Sequence, residues 1–107
     1  MNEAFNREFT VAASHPSLAG HFPGHPVIPA VVLLDLVLAS IQAQGAFVLQ
    51  SIPAAKFRKP VLPGERVELR VTFTPLERAT VRASFQGTAA ASVAFEGSFV
   101  LHVTPAP

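Results

Sequence analysis

The chain has 107 residues, half of them apolar and only 14% charged, with no cysteine and a formal net charge of +1. That balance excludes a disordered chain, a disulfide framework, a thiolate nucleophile and a cysteine-ligated zinc site, and it offers no field for gripping a nucleic-acid backbone. One domain over residues 1–107 is expected, and since a monomer this small hides only roughly 60 to 65% of its unfolded surface, so apolar a chain predicts association with a second copy.

The opening MNEAFNREF lacks the basic and apolar regions of a signal peptide and predicts a cytoplasmic address. Phe9–Ala13 reads as a first strand. Ser14–Ile28 follows as an ordered, irregular loop, because Pro16, Pro23 and Pro26 fix φ and forbid helix. Helix is predicted from Pro29 to about Gln44, with proline at its first position and Gly45 ending it. Ala30 to Ala39 is apolar apart from Asp35, the pattern of a helix enclosed on nearly all sides. The apolar stretch Val27–Ala39 falls short of the roughly 18 residues that a membrane span requires.

Phe47–Ile52 and Ala55–Lys59 read as two extended pieces broken at Pro53. Leu62-Pro63-Gly64-Glu65 places proline and glycine where a type II turn wants them. Val67, Leu69, Val71 and Phe73 then alternate with Arg66, Glu68, Arg70 and Thr72, and Val81, Ala83 and Phe85 repeat the pattern. Gly87-Thr88 is expected to turn the chain into a last strand that buries Val93, Phe95, Phe99, Leu101 and Val103. The fold class is α+β: an antiparallel sheet with one buried face, curled around a single apolar helix.

Asp35 is the only aspartate and has apolar neighbours for four residues on both sides. Such a carboxyl is either a general acid kept protonated by its surroundings or a buried group capping a backbone donor. His21, in GHFPGHP, can take a proton near neutral pH, although a loop histidine alone is a weak signal. The spacing of His21 and His25 matches a helical metal pair, but Pro23 and Pro26 prevent helix and no third ligand accompanies them, so no metal is expected. His15 and His102 have no supporting context. Lys56, Arg58 and Lys59 form the densest basic cluster, suited either to attracting an acidic carrier protein or to protecting a strand edge with charge.

The string GHFPGHPVIPAVVLLDLV resembles the active-site signature of the 3-hydroxyacyl-acyl-carrier-protein dehydratases of bacterial fatty-acid synthesis, and KFRKPVLPGERVELRV resembles that family's second conserved block. The resemblance implies a hotdog fold and removal of water from a 3-hydroxyacyl thioester, carried on a carrier protein or coenzyme A, with no cofactor. It implies His21 and Asp35 as the catalytic pair, contributed by different protomers of a homodimer. It also implies the Ala30 backbone N–H as the group that polarises the thioester carbonyl, and Phe22, Pro23, Gly24, Pro29 and Val31 as substrate-lining positions. Two residues depart from the family pattern: Ala30 stands where glycine is usual, and Ala39 where a glutamine follows the acid. The alternatives are a hotdog acyl thioesterase and a non-catalytic acyl-carrier-binding protein, which release a free thiol or only form a complex instead of giving an enoyl product.

Overall fold

A computed structural model describes residues 4–12 and 27–104. The elements run β1 (Ala4–Thr10), α1 (Ala30–Gln42), β2 (Phe47–Phe57), β3 (Arg66–Pro75), β4 (Thr80–Ala89) and β5 (Ser92–Val103). All pairings are antiparallel, and the five strands lie in the order β1-β3-β4-β5-β2. The α+β expectation therefore holds, with β3, β4 and β5 as the predicted meander and β1 and β2 as its two edges.

Strict alternation in β3 and β4 puts Val67, Leu69, Val71, Val81, Ala83 and Phe85 into the core, since a period of two sends every second side chain to one face. The sheet curls over α1, whose Leu33, Val37, Ser40 and Ile41 turn inward. The buried Ser40 hydroxyl is satisfied by donating to the Leu36 carbonyl at 2.8 Å. At the C-terminal end of α1 the curl is nearly closed: Phe47 of β2 stacks on Phe73 of β3 at 5.5 Å, although β4 and β5 lie between those strands. Phe5 of β1 adds a third ring, 5.8 Å from Phe73.

Four boundaries differ from expectation. The first strand is Ala4–Thr10, not Phe9–Ala13, because this edge strand needs only Phe5 and Phe9 half-buried and tolerates Asn6, Arg7 and Glu8 between them. The helix spans Ala30–Gln42, with Pro29 as its N-cap and Ala43 as its C-cap. The two extended pieces around Pro53 are one strand, β2, with register shifts between Leu49 and Ser51 and between Ser51 and Ala54; an edge strand can bulge and so hold a proline that has no N–H to give. Gly87 does not turn the chain but lies inside β4, because the Phe95 ring occupies the space a side chain would need. The turn falls instead at Ala90 and Ala91, at φ 50° and 67°, as its counterpart between β3 and β4 falls at Arg78 and Ala79, both at 57°. The Leu62–Glu65 turn is as expected, with Gly64 at φ 86° and the Glu65 N–H donating to the Leu62 carbonyl at 3.1 Å.

Candidate active site

The described part of the first sequence block forms one corner of the molecule, at the N-terminus of α1. Pro29 at φ −59° and ψ 144° sets the entry, and its carbonyl accepts from the N–H groups of Val32 and Leu33 at 3.0 and 3.3 Å. Among the described residues no side chain caps this end, and no acid stands in the first turn. The Ala30 and Val31 amides therefore belong to the donors that a helix leaves over, at the positive end of its dipole.

The second sequence block holds this corner in place. Arg58 and Lys59 donate backbone N–H groups to the Ala94 carbonyl at 2.7 and 3.3 Å, the Ile28 N–H donates to the Val61 carbonyl at 2.9 Å, and the Gly64 N–H donates to the Val11 carbonyl at 2.8 Å. Residues 58–65 thus form a strap that joins the start of β5, the approach to α1 and the end of β1. Beside it opens a cavity of about 340 Å³, in which Val27, Ile28, Leu33, Phe57 and Val61 provide an apolar wall around Ala30. An acyl thioester suits such a wall, and a backbone N–H at a dipole's positive end suits a carbonyl oxygen that gains charge.

Asp35 requires a correction. It is exposed, as are Val31, Ala39 and Gln42 along the same stripe, and Val31 is 63% exposed. Asp35 lies about 200° around the helix from Leu33, so it points away from the sheet. The expectation of a helix enclosed on nearly all sides fails for the chain alone, because one curled sheet covers only one side of a cylinder. Neither reading of Asp35 as a carboxyl already buried by its own chain survives. Along the axis it lies about 7.5 Å beyond Ala30, within the length of a short acyl unit.

His21, Phe22, Pro23 and Gly24, together with His15 and His25, lie outside the described residues. Pro29 is half-buried at the helix entry, and Ala30 and Val31 are exposed beside it. The basic cluster divides. Arg58 Nε donates to Glu96 Oε2 at 2.6 Å; that hydrogen bond, reinforced by the opposite charge, raises the Arg58 pKa and holds the Glu96 carboxyl below its ordinary value. Lys59 turns elsewhere, donating Nζ to the Ala89 carbonyl at the end of β4. Lys56 stands opposite Glu96 on β2. No sequence signal marks Glu96, 38 residues from Arg58, as the partner. Phe57 and Val61 were missed as cavity walls, although both stand inside or beside the block that resembled a family motif. Among the described residues no group of three metal-ligating side chains occurs, and no helix is long and apolar enough to cross a membrane.

Residues 1–97 match the ApeI-like family, described as ApeI dehydratase. The 3-hydroxyacyl-acyl-carrier-protein dehydratase FabZ of Myxococcus xanthus is 33% identical over 105 residues, covering 87% of this chain and 68% of the relative. The protein of that name from Roseiflexus castenholzii is also 33% identical, over 108 residues, covering 90% of this chain and 75% of the relative. Among solved structures, the dehydratase heterocomplex ApeI:P from Xenorhabdus doucetiae superposes with a TM-score of 0.77 at 20% identity, over 94% of this chain and 88% of that one.

Proposed function

The chain belongs to the ApeI-like dehydratase family and has the hotdog fold, and from that premise we propose that it eliminates water from a 3-hydroxyacyl thioester, carried on an acyl-carrier protein or coenzyme A, to give the trans-2-enoyl thioester. The observation that supports this most directly is the N-terminus of α1, which has no side-chain cap among the described residues, opens on an apolar cavity and starts the stripe that carries Asp35. His21 takes the proton from C2, the electron pair forms the C2–C3 double bond, the C3–O bond breaks, and Asp35 gives its proton to the departing hydroxyl, which leaves as water. The Ala30 N–H holds the enolate-like charge on the carbonyl oxygen during the transfer. Phe22, Pro23, Gly24, Pro29 and Val31 border the acyl unit, and since Arg58 pairs with Glu96 and Lys59 donates to the Ala89 carbonyl, Lys56 is the cation of the cluster left to face an acidic carrier. A cytoplasmic address is part of the same proposal.

A carboxyl acts as a general acid near neutral pH only when it is taken out of water, so Asp35 needs a cover that its own chain does not supply. A second copy is the proposed cover. Edge strand β2 presents Val48, Ile52 and Phe57, each between 40 and 51% exposed, and α1 presents Val31; an apolar surface beside an open sheet edge fits a copy of itself. A related hotdog chain is the other candidate cover, as the name of the Xenorhabdus doucetiae complex suggests for that protein. Light scattering on the pure chain at micromolar concentration separates the two: a stable dimer supports the homodimer, and a monomer removes it.

The activity is tested by incubating the protein with a 3-hydroxyacyl thioester on carrier protein and, separately, on coenzyme A. An enoyl product is expected; free thiol without enoyl product, or a bound complex without turnover, would overturn dehydration. Mixing inactive His21→Ala and Asp35→Ala chains is expected to restore part of the activity, because one hybrid site regains both groups.

A further inference from the structure

The outer face of the sheet, turned away from α1, has a pattern of its own. Register places Thr72 of β3 opposite Ser84 of β4, Ser84 opposite Ser98 of β5, and Ser98 opposite Ala54 of β2, a rung of small side chains across four strands. Arg70 and Lys56 stand one rung to one side of it, and Arg82 stands one rung to the other, each two residues along its strand. All of them line a single shallow trough of about 580 Å³.

Three features of this trough go beyond an ordinary solvated sheet face. None of Lys56, Arg70 and Arg82 lies within ion-pair distance of a carboxylate among the described residues. The carboxylate in the trough wall, Glu96, is engaged by Arg58 at 2.6 Å. Ser98 is only 8% exposed and lines the trough, and since no fully buried side-chain oxygen lacks a partner among the described residues, its hydroxyl, which no hydrogen bond there engages, reaches solvent. Two residues along a strand is about 6.6 Å, so long basic side chains on both sides can lean over a floor of small hydroxyls without crowding it.

We propose that this trough binds a phosphate-bearing anion, clasped by Arg70 and Lys56 from one side and Arg82 from the other, with the Ser98, Ser84 and Thr72 hydroxyls donating from below. Guanidinium groups match phosphate oxygens in a fork and hydroxyls supply further donors, a set better suited to a tetrahedral, multiply charged oxyanion than to a single carboxylate. A second copy is a poor occupant, because its own trough would bring the same three cations. The site lies across the sheet from α1, so it stands or falls apart from the dehydration chemistry, and Lys56 alone is shared with the proposed carrier-docking cluster. The phosphate comes from free phosphate or diphosphate, or from a nucleotide-bearing thioester such as coenzyme A.

The test is a titration of the whole chain with inorganic diphosphate at constant ionic strength, followed by backbone amide NMR. Saturable shifts are expected at Thr72, Ser84 and Ser98, with affinity falling on the order of tenfold in Arg70→Gln and in Arg82→Gln. Arg66→Gln, whose side chain pairs with Glu8 outside the trough at 3.8 Å, is expected to leave the affinity unchanged. Coenzyme A in place of diphosphate identifies the source: shifts at the same residues assign the nucleotide phosphates, and shifts with diphosphate alone assign a free anion. Shifts that do not saturate, or that persist at equal size in both arginine variants, would reduce the trough to generic charge screening and overturn the proposal.

Discussion

The two sides of α1 are made of nearly the same residues and meet opposite surroundings. Leu33, Val37 and Ile41 are at most 2% exposed against the sheet, whereas Val31, Asp35 and Ala39 face outward with nothing from the described chain above them. Composition says that the helix wants a cover all round, but only the register of the helix on the sheet says which cover the chain itself provides. The inward side is the fold's anchor. The outward side is where covering by another surface changes a carboxyl's chemistry, and the single charge of the helix stands there.

The largest expected effects set these sides against each other. Ile41→Ala, which empties a site at 0% exposure, is expected to lower stability by about 2 to 5 kcal/mol while the folded fraction keeps its turnover. Asp35→Asn is expected to do the reverse: unchanged or higher melting temperature, with kcat lowered on the order of 10²-fold. Melting temperature and dehydration rate measured on the same samples decide the matter. A destabilised but fully active Asp35→Asn would overturn the catalytic assignment.

The outward side can also be probed through association, read separately from turnover because Val31 also borders the proposed acyl site. Val31→Lys places a charge on the stripe at a residue already 63% exposed in the single chain, so the monomer is expected to fold with its helix signal intact. Self-association is expected to weaken by about tenfold or more, since an interface does not bury an unpaired ammonium without cost. Sedimentation or light scattering over a dilution series reads this. Unchanged association would move the interface away from α1.

How much of this was legible before the structure follows from the same contrast. Alternation in β3 and β4 exposed the sheet face to view, because a period of two reports burial on one side directly. Edge strand β1 was hidden, since Asn6, Arg7 and Glu8 read as polar chain while only Phe5 and Phe9 touch the core. The turn between β4 and β5 was misplaced because it contains no turn-forming residue: two alanines adopt left-handed backbone there, and the nearby glycine has another job beneath Phe95. His21, Ala30 and Asp35 were picked out by motif and by anomaly, but a helix apolar all round carries no mark of which side faces out. The pairing of Arg58 with Glu96 joins strands far apart in sequence and left no trace.

The misplaced turn yields a smaller prediction. An L-residue with a side chain gives up roughly 1 to 2 kcal/mol in left-handed backbone, which glycine and, in part, asparagine recover. Ala90→Asn with Ala91→Gly, the pair favoured in a two-residue hairpin turn, is therefore expected to raise stability by about 1 kcal/mol or somewhat more. In a domain of this size that is a rise in Tm of roughly 4 to 8 °C. A fall in Tm would mean that the alanine methyl groups pack in a way that offsets their backbone strain.

The smallest effect is expected at the Arg58–Glu96 pair, and it sharpens the contrast between anchored and open surfaces. Both side chains are substantially exposed, at 46 and 37%, so solvent and salt screen the attraction and Glu96→Gln is expected to lower Tm only slightly at pH 7. The pH dependence carries more information than the size. Arg58 lowers the Glu96 pKa in the folded chain, first through the hydrogen bond from Nε and then through its charge. The unfolded chain therefore takes up a proton at Glu96 at higher pH than the folded chain does. The pair's contribution is fully present above the ordinary glutamate value of 4.5 and is lost as pH falls through the lower folded value. The Tm gap between wild type and Glu96→Gln is thus expected to close on acidification and to shrink in high salt at neutral pH. A gap that stays constant through the acid range would show that Glu96 serves the end of β2 through packing of its aliphatic stem, with its charge incidental.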